Sequence, residues 1–327
     1  MENELIDLSE FEMKDDELFT FIDNSTVNSE KITAPRYSYW KSVLRVFFKK
    51  KLNIVFLAIL VVILLLTYIY PLIVHYDLFE NFGDDSLYHL RTIDSWKRFG
   101  FSIRWLFGTG EAGQSVWDQI WHGAQFSITL ALVCAAINMT VGVVVGAIWG
   151  FSKKVDVVMT EVYNIVGNVP GILLIGVLVM LLDRNFMTLV FALTITGWLG
   201  IAYFIRTQVI VIRDREYNLA SRCLGTSIFR ITMKNILPFM VSIIVTLLAT
   251  ELPLYIGTEV FLSSSYVNLG VSSDSLGFLI AAKEQVMTTP GQQIEFWAPV
   301  AITSAITIIL YIVGQNLGDA SDPRTHM

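Results

Sequence analysis

Long apolar segments separated by short polar ones make up most of this chain after residue 51. The apolar segments are about 20 residues long or longer, which is enough for an α-helix to cross the roughly 30 Å hydrocarbon core of a bilayer. They lie at residues 52–74, 124–150, 157–182, 187–211, 239–262 and 297–317. The pattern therefore predicts an all-α polytopic membrane protein with six transmembrane helices.

Basic residues in the connections set the expected orientation of these helices. Lysines at 49–51 directly precede the first span, and Lys153 and Lys154 separate the second span from the third. Loops rich in Lys and Arg face the cytoplasm. We therefore expect a multi-pass protein of the cell (plasma or inner) membrane with both termini, including the tail at 318–327, in the cytoplasm. The segment at 75–123 is then an extracellular loop.

The composition agrees with a membrane protein, because 54% of the 327 residues are apolar and 16% are charged. The net charge of −6 comes from one end of the chain. Residues 1–30 contain ten acidic residues and one Lys, whereas the rest of the chain has 22 basic and 19 acidic residues. Because such a segment buries little apolar surface, we expect residues 1–35 to form an acidic cytoplasmic tail.

Residues 36–51 combine basic and aromatic side chains in the sequence RYSYWKSVLRVFFKKK. The apolar residues Trp40, Val43, Phe47 and Phe48 recur at helical spacing. A basic amphipathic helix of this kind lies on an anionic membrane surface. We expect an interfacial helix here, with membrane lipids and not nucleic acid as its partner, because a span follows it directly.

Small residues on the second span predict close helix packing. Gly142, Gly146 and Gly150 are four residues apart and therefore share one face. In lipid, such a stripe lets another helix approach closely. We expect this face to contact a neighbouring span.

The third span contains Asn164, Asn168, Pro170 and Gly171. Proline removes a backbone donor and kinks a helix. The pattern predicts one kinked helix at 157–182, in which the kink serves packing or, alternatively, acts as a hinge for gating.

Two carboxylates, Glu251 and Glu259, lie within the fifth span. Ionisable groups at membrane depth are costly and usually face a bundle interior or a wet cavity. The two residues are rotated by only about 80° on a helix, so both could line a substrate path, together with Asn168. The alternative is that Glu251 bonds to a neighbouring helix while Glu259 lies at the outer surface.

Residues 213–238, called the polar loop below, separate the fourth span from the fifth. Their sequence is RDREYNLASRCLGTSIFRITMKNILP. Gly225 lies between two helix-forming stretches, and Pro238 closes the second. The pattern predicts a helix–glycine–helix hairpin that lies on the membrane surface and docks into a partner. An ordinary basic cytoplasmic loop is the alternative.

The polar loop resembles the EAA loop of binding-protein-dependent ABC importer permeases. It has a small-residue triplet, a glycine four positions after the triplet, and a later Leu-Pro pair. The residues that carry the resemblance, including two typical of the oligopeptide and dipeptide branch, are Glu216, Tyr217, Leu219, Ala220, Ser221, Gly225, Leu237 and Pro238. The resemblance implies that they form a coupling helix that fits a cleft on an ATP-hydrolysing subunit. Leu219, Ser221 and Asn235 depart from the usual pattern of this loop.

The resemblance extends over most of residues 36–324. Pro71-Leu72-Ile73 after the first span, Phe107-Gly108-Thr109, and Asp322-Pro323-Arg324 near the end are similar to oligopeptide permease C subunits. The family has the type I ABC importer permease fold, with a cytoplasmic coupling helix. The resemblance also implies four kinds of partner: a homologous B-type permease, two ATP-binding subunits of D and F type, an extracellular peptide-binding protein, and membrane lipids.

The sequence contains no G-x-x-x-x-G-K-[ST] phosphate loop, so ATP and Mg²⁺ are expected in the partner subunits and no cofactor in this chain. The four His residues lack metal-ligand spacing, and no catalytic set emerges. The expected function is therefore that of a non-enzymatic permease subunit of an ATP-driven oligopeptide importer, forming half of the translocation path. Alternatives are a nickel or other small-solute importer permease, a membrane-embedded hydrolase, and a channel.

Overall fold

The computed structural model describes residues 38–74, 85–182, 185–264 and 275–322. These residues form thirteen α-helices and no β-strand. The helices are α1 Tyr39–Lys49, α2 Lys51–Tyr68, α3 Tyr70–Ile73, α4 Thr92–Phe99, α5 Val116–Phe151, α6 Lys153–Gly167, α7 Gly171–Leu181, α8 Phe186–Arg213, α9 Glu216–Cys223, α10 Ile228–Ile231, α11 Val241–Ser264, α12 Leu276–Ala282 and α13 Gln293–Ala320. The acidic tail predicted at 1–35 lies outside the described residues.

Among the described residues, five helical stretches are long and apolar enough to cross a membrane: Lys51–Ile73, Val116–Phe151, Phe186–Arg213, Ile228–Ser263 and Gln293–Ala320. The pair α6 and α7 adds a sixth, bent by 75°. The expected all-α polytopic membrane fold is confirmed.

The second and sixth spans are longer than their apolar stretches. Helix α5 begins at Val116, within the segment predicted as extracellular loop, because Ser115 caps its N-terminus and accepts a hydrogen bond from the backbone N–H of Asp118. Helix α13 continues to Ala320, within the predicted tail. Hydropathy marks where a helix leaves the lipid, whereas capping residues mark where the helix ends.

The third span is not one kinked helix, and this prediction is wrong. Helix α6 ends at Gly167 and α7 begins at Gly171, with Pro170 in an extended conformation before it. Pro170 cannot continue the ladder of helix α6 and also biases the preceding residue away from helical geometry. The break therefore exposes three consecutive non-helical residues, at 168–170.

The glycine stripe of α5 packs against α8, as expected. A Cβ added at Gly142 would lie 2.6 Å from Cγ2 of Ile201, and one added at Gly146 would lie 2.5 Å from the carbonyl oxygen of Ala202. At Gly150 the nearest atoms belong to Arg206 and Val209, at 2.8 Å. Only glycine permits this approach along two turns of the helix, so α5 and α8 form the closely packed centre of the described bundle.

Buried charged side chains hold together the end of the bundle opposite the polar loop, which is called the outer end below. Asp118 is fully buried and accepts hydrogen bonds from Arg104 and from the hydroxyl of Tyr70, both at 2.6 Å. Glu295, 2% exposed, pairs with Nδ1 of His89 at 2.7 Å and with Lys283 at 3.5 Å. The outer loop, α12 and α13 are thereby fastened to one another by charge-assisted contacts.

Candidate functional site

The polar loop forms two short helices joined at Gly225. Helix α8 ends at Arg213, α9 spans Glu216–Cys223, and α10 begins at Ile228. Gly225 has a φ of +79° with no atom within 4 Å of the position a Cβ would occupy. Glycine is required here by backbone conformation and not by lack of space. The predicted helix–glycine–helix hairpin is confirmed.

A buried asparagine anchors this hairpin to the bundle. Asn218 is fully buried, donates to the carbonyl oxygen of Ile212 at 2.9 Å and accepts from Nδ2 of Asn235 at 3.1 Å. The two bonds tie α9 to the end of the fourth span and to the start of the fifth. Sequence reasoning did not single out Asn218, and noted Asn235 only as a departure from the family pattern.

Basic side chains clamp the hairpin further. Arg213 donates to the carbonyl oxygen of Gly150 at 2.9 Å, at the end of α5. Its hydrogen bonds to Asp214 are the main cause that holds the pKa of that carboxyl below its usual value, and Arg222 and Lys153 act in the same direction. These contacts connect α8 to the end of α5.

Apolar side chains are exposed on α9 beside charged ones. Tyr217 and Leu219 are 45% and 43% exposed, and Leu224, directly after the helix, is 86% exposed. Glu216 and Ala220 are also exposed, whereas the hydroxyl of Ser221 bonds back to the carbonyl oxygen of Tyr217. A rigid helix that presents apolar side chains beyond the bundle is typical of a docking surface.

The remaining two residues predicted for this site lie elsewhere. Leu237 and Pro238 begin a 3₁₀ turn, Leu237–Met240, that follows a π-helical turn and leads into α11. Leu237 packs against an apolar cluster that contains Ile231, Ile236 and Met240. The structure thus brings Glu216 to Gly225 together on one hairpin and places the Leu-Pro pair at the base of the fifth span.

The predicted path residues are dispersed. Asn168 lies exposed at the break between α6 and α7. Glu251 is half-buried near Tyr255, whose hydroxyl accepts a hydrogen bond from Asn138 of α5 at 2.6 Å. The partner of Glu251 is thus a residue of its own helix, and only Tyr255 contacts the neighbouring α5; no direct bond from Glu251 to a neighbouring helix is seen among the described residues.

Glu259 does not line a passage in this chain, and that expectation is wrong, as is the alternative of an outer-surface position. It is 1% exposed and accepts hydrogen bonds from Ser127 at 2.9 Å and Ser263 at 3.1 Å. Ser127 in turn accepts from the backbone N–H of Leu276. The carboxylate joins α5, α11 and α12, which is a structural role that its own helix could not reveal.

A cavity of about 170 Å³ lies beside the break in the third span. Tyr163, Gly167 and Val169 line one side, and Thr196 and Gly200 of α8 line the other. Non-helical backbone at membrane depth occurs where it is enclosed by protein or lines a cavity. The break therefore places backbone polar groups at a cavity wall.

A cluster that sequence reasoning missed holds α6 in place. Asp156 accepts hydrogen bonds from Arg206 at 2.5 Å and from the indole of Trp149 at 2.9 Å. Tyr163 stacks on Tyr203 with ring centres 4.4 Å apart. No residue of α6 is buried, so these contacts account for much of its attachment to α5 and α8.

Within the part of the chain that the structure describes, no group of three His, Cys, Asp or Glu residues is placed to hold a metal ion. The geometry is that of an anchored hairpin at one end of a bundle with a broken helix.

Two family comparisons cover the described bundle. Residues 142–327 match the family described as "Binding-protein-dependent transport system inner membrane component". Residues 38–89 match the "N-terminal TM domain of oligopeptide transport permease C".

Curated relatives agree with these matches. The chain is 44% identical to the oligopeptide transport system permease protein AmiD of Streptococcus pneumoniae over 95% of this chain and 98% of that protein. It is 31% identical to the oligopeptide transport system permease protein OppC of Bacillus subtilis, covering 91% and 93% of the two chains. It is 28% identical to the dipeptide transport system permease protein DppC of the same organism, covering 94% and 93%.

Proposed function

This chain belongs to the family of inner-membrane components of binding-protein-dependent transport systems, and we propose that it forms half of the translocation path of an ATP-driven oligopeptide importer. The other half is a homologous B-type permease subunit. Two ATP-binding subunits, of D and F type, dock on the permease pair, one of them on the polar loop of this chain, and an extracellular binding protein delivers the peptide. Both termini face the cytoplasm.

The exposed apolar side chains of the hairpin are the observation that carries this proposal. Tyr217, Leu219 and Leu224 are exposed on a hairpin whose backbone is fixed by Asn218. Exposed apolar groups on a rigid element gain free energy when a partner covers them. A cleft on an ATP-binding subunit fits a single protruding helix of this kind.

Movement of that partner reaches the spans through short, stiff connections. Asn218 links α9 to the end of α8 and, through Asn235, to the π-helical turn before α11. Arg213 links the same point to α5. A displacement of the hairpin is therefore transmitted as a rigid-body shift of three spans, which switches the side to which the path opens.

The broken third span supplies a suitable wall for the path. A peptide backbone carries many polar groups, and a permissive path needs polar partners that do not select side chains. The break at 168–170 exposes backbone groups and Asn168 beside the cavity formed with Thr196 and Gly200.

Uptake by the reconstituted complex tests the proposal. Vesicles that contain the permease pair and ATPases, with ATP on the polar-loop side and binding protein on the other, are expected to accumulate labelled oligopeptide and not Ni²⁺. Accumulation of Ni²⁺ instead of peptide would assign the chain to small-solute import. Uptake without ATP would assign it to channels.

A substitution on α9 tests the coupling role. The Leu219→Arg variant places a charge on the docking face, and the ATPases are expected to be lost on purification. The matched control is Ile93→Arg in α4, 64% exposed, which is expected to retain them. Equal retention in both variants would overturn the assignment of α9.

A further inference from the structure

A basic pocket opens beside the polar loop, where α5 meets α6. It has a volume of about 480 Å³ and is lined by Lys153, Lys154, Arg213 and Arg222, with Asp214 as its only acidic side chain among the described lining residues. Asp214 is paired with Arg213. The pocket therefore keeps a surplus of positive charge facing its interior.

An apolar groove continues directly from this pocket. It encloses about 260 Å³ and shares Phe151 and Ile228 with the basic pocket. From there it follows α5 through Ile148 to Val144, with Met233 on the opposite wall. Because residues four apart on α5 lie about 6 Å from one another along the helix axis, the groove runs from the polar end of the span toward its apolar middle.

The groove is lined by side chains that this chain leaves uncovered. Val144 is 54% exposed, Ile148 55% and Met233 49%. An apolar channel with a cationic pocket at its membrane-surface end matches the two parts of one amphiphile. The positive charge of the pocket favours an anionic headgroup. The position of the pocket at the polar end of the groove favours a molecule whose apolar part extends toward the middle of the span.

We propose that this composite site binds an acidic phospholipid, with its phosphate-bearing headgroup in the basic pocket and one acyl chain in the apolar groove. Basic pockets between membrane helices attract anionic headgroups. Arg222 and Lys153 are the principal headgroup ligands, since Arg213 is already bonded to Asp214 and to Gly150. The bound lipid would lie between the end of α5 and the polar loop, and so at the joint where the hairpin meets the bundle.

Native mass spectrometry of the intact importer complex tests this inference. The complex is equilibrated with micelles that contain equal amounts of phosphatidylglycerol and phosphatidylcholine, and bound lipid is counted. The double variant Lys153→Gln/Lys154→Gln is expected to retain roughly 25-fold less phosphatidylglycerol, because each of the two basic groups near an anionic lipid contributes a factor of about five. Phosphatidylcholine retention is expected to stay unchanged.

The matched control removes the same charge from the same side of the molecule. Arg230 and Lys234 are exposed residues of the polar loop outside the pocket. The variant Arg230→Gln/Lys234→Gln is expected to retain phosphatidylglycerol as the parent complex does. Equal losses in the two double variants would show a diffuse charge effect and overturn the site.

A groove variant tests the acyl-chain half separately. Val144→Trp fills the groove without a change of charge and is expected to lower phosphatidylglycerol retention several-fold. Soluble glycerol phosphate is expected not to displace the lipid. Displacement of the lipid by glycerol phosphate, or full lipid retention in Val144→Trp, would overturn the phospholipid site and leave a pocket that binds anions only.

Loss of the ATPases with unchanged lipid retention in Lys153→Gln/Lys154→Gln would also overturn it and would show that these lysines contact a protein partner.

Discussion

The two ends of this bundle use charge in opposite ways. At the outer end, Asp118 and Glu295 are buried and paired with oppositely charged or polar residues of the same chain. At the polar loop, Arg213 and Asn218 hold the backbone inward while apolar side chains such as Leu224 face outward. The outer end completes its own contacts, whereas the polar loop is rigid but leaves a surface that only a partner can cover.

The largest effect on stability is expected at the outer end, in the variant Glu295→Ala. Removal of the carboxylate leaves the buried Lys283 with only the exposed Glu111 as counter-charge, and breaking such a buried pair costs about 3–5 kcal/mol. Thermal unfolding in detergent measures the loss. The control is Glu111→Ala, a 62% exposed partner of the same lysine at 3.8 Å, for which less than about 1 kcal/mol is expected. A comparable loss in both variants would contradict the buried network.

A smaller loss is expected when the anchor of the polar loop is removed. The variant Asn218→Leu leaves Nδ2 of Asn235 without its partner and removes one of the donors to the carbonyl oxygen of Ile212, which keeps the backbone N–H of Arg215; the expected cost is about 1–3 kcal/mol. Peptide-loaded binding protein is expected to stimulate ATP hydrolysis less, because α9 is no longer tied to α11.

A double variant provides the control for this anchor. In Asn218→Leu/Asn235→Leu both members of the Asn218–Asn235 bond are apolar, so its cost is expected to be less than the sum of the single losses. Strict additivity, measured by the same unfolding assay, would mean that the two asparagines act independently.

The next largest loss of stability is expected from backbone strain at Gly225 of the hairpin. The variant Gly225→Val forces a branched side chain into a left-handed conformation, which costs about 1–2 kcal/mol, and peptide uptake is expected to be abolished while membrane insertion is retained. Asparagine tolerates this conformation, so Gly225→Asn is expected to transport peptide. Because the space around Gly225 is open, equal damage by both residues would refute the conformational explanation.

The smallest stability change, and the sharpest functional contrast, is expected on the docking face. The variant Leu224→Ser alters an 86% exposed side chain, so the free energy of unfolding should change by no more than about 0.5 kcal/mol. Co-purification of the ATPases is nevertheless expected to weaken. Phe101→Ser, at an 85% exposed position of the outer loop, is expected to leave it intact. Equal co-purification of the ATPases with Leu224→Ser and Phe101→Ser would contradict the assignment of the partner surface to the polar loop.

The sequence sufficed for features that depend on local pattern. Apolar length located the spans, since crossing lipid imposes a minimum number of residues. The glycine stripe at Gly142, Gly146 and Gly150 predicted close helix packing, because their four-residue spacing alone places them on one face of the helix. Gly225 marked the turn because few other residues adopt its backbone conformation.

Features that depend on distant residues were not accessible in this way. Pro170 signalled a disturbance, but the 75° bend depends on how α7 packs on α8. Glu259 was expected to face a passage, whereas its partners Ser127 and Ser263 lie 132 and 4 residues away. The role of Asn218 required knowledge that the ends of two spans meet beneath α9.

The unbroken length of α5 gives the molecule a lever. Its 36 residues correspond to about 54 Å at 1.5 Å per residue. One end meets Arg213 below, and the other carries Asp118 above. A tilt of about 5° at the lower end would displace the upper end by roughly 5 Å over that length. A small displacement of the hairpin can therefore be transmitted to the far end of α5 along one continuous helix.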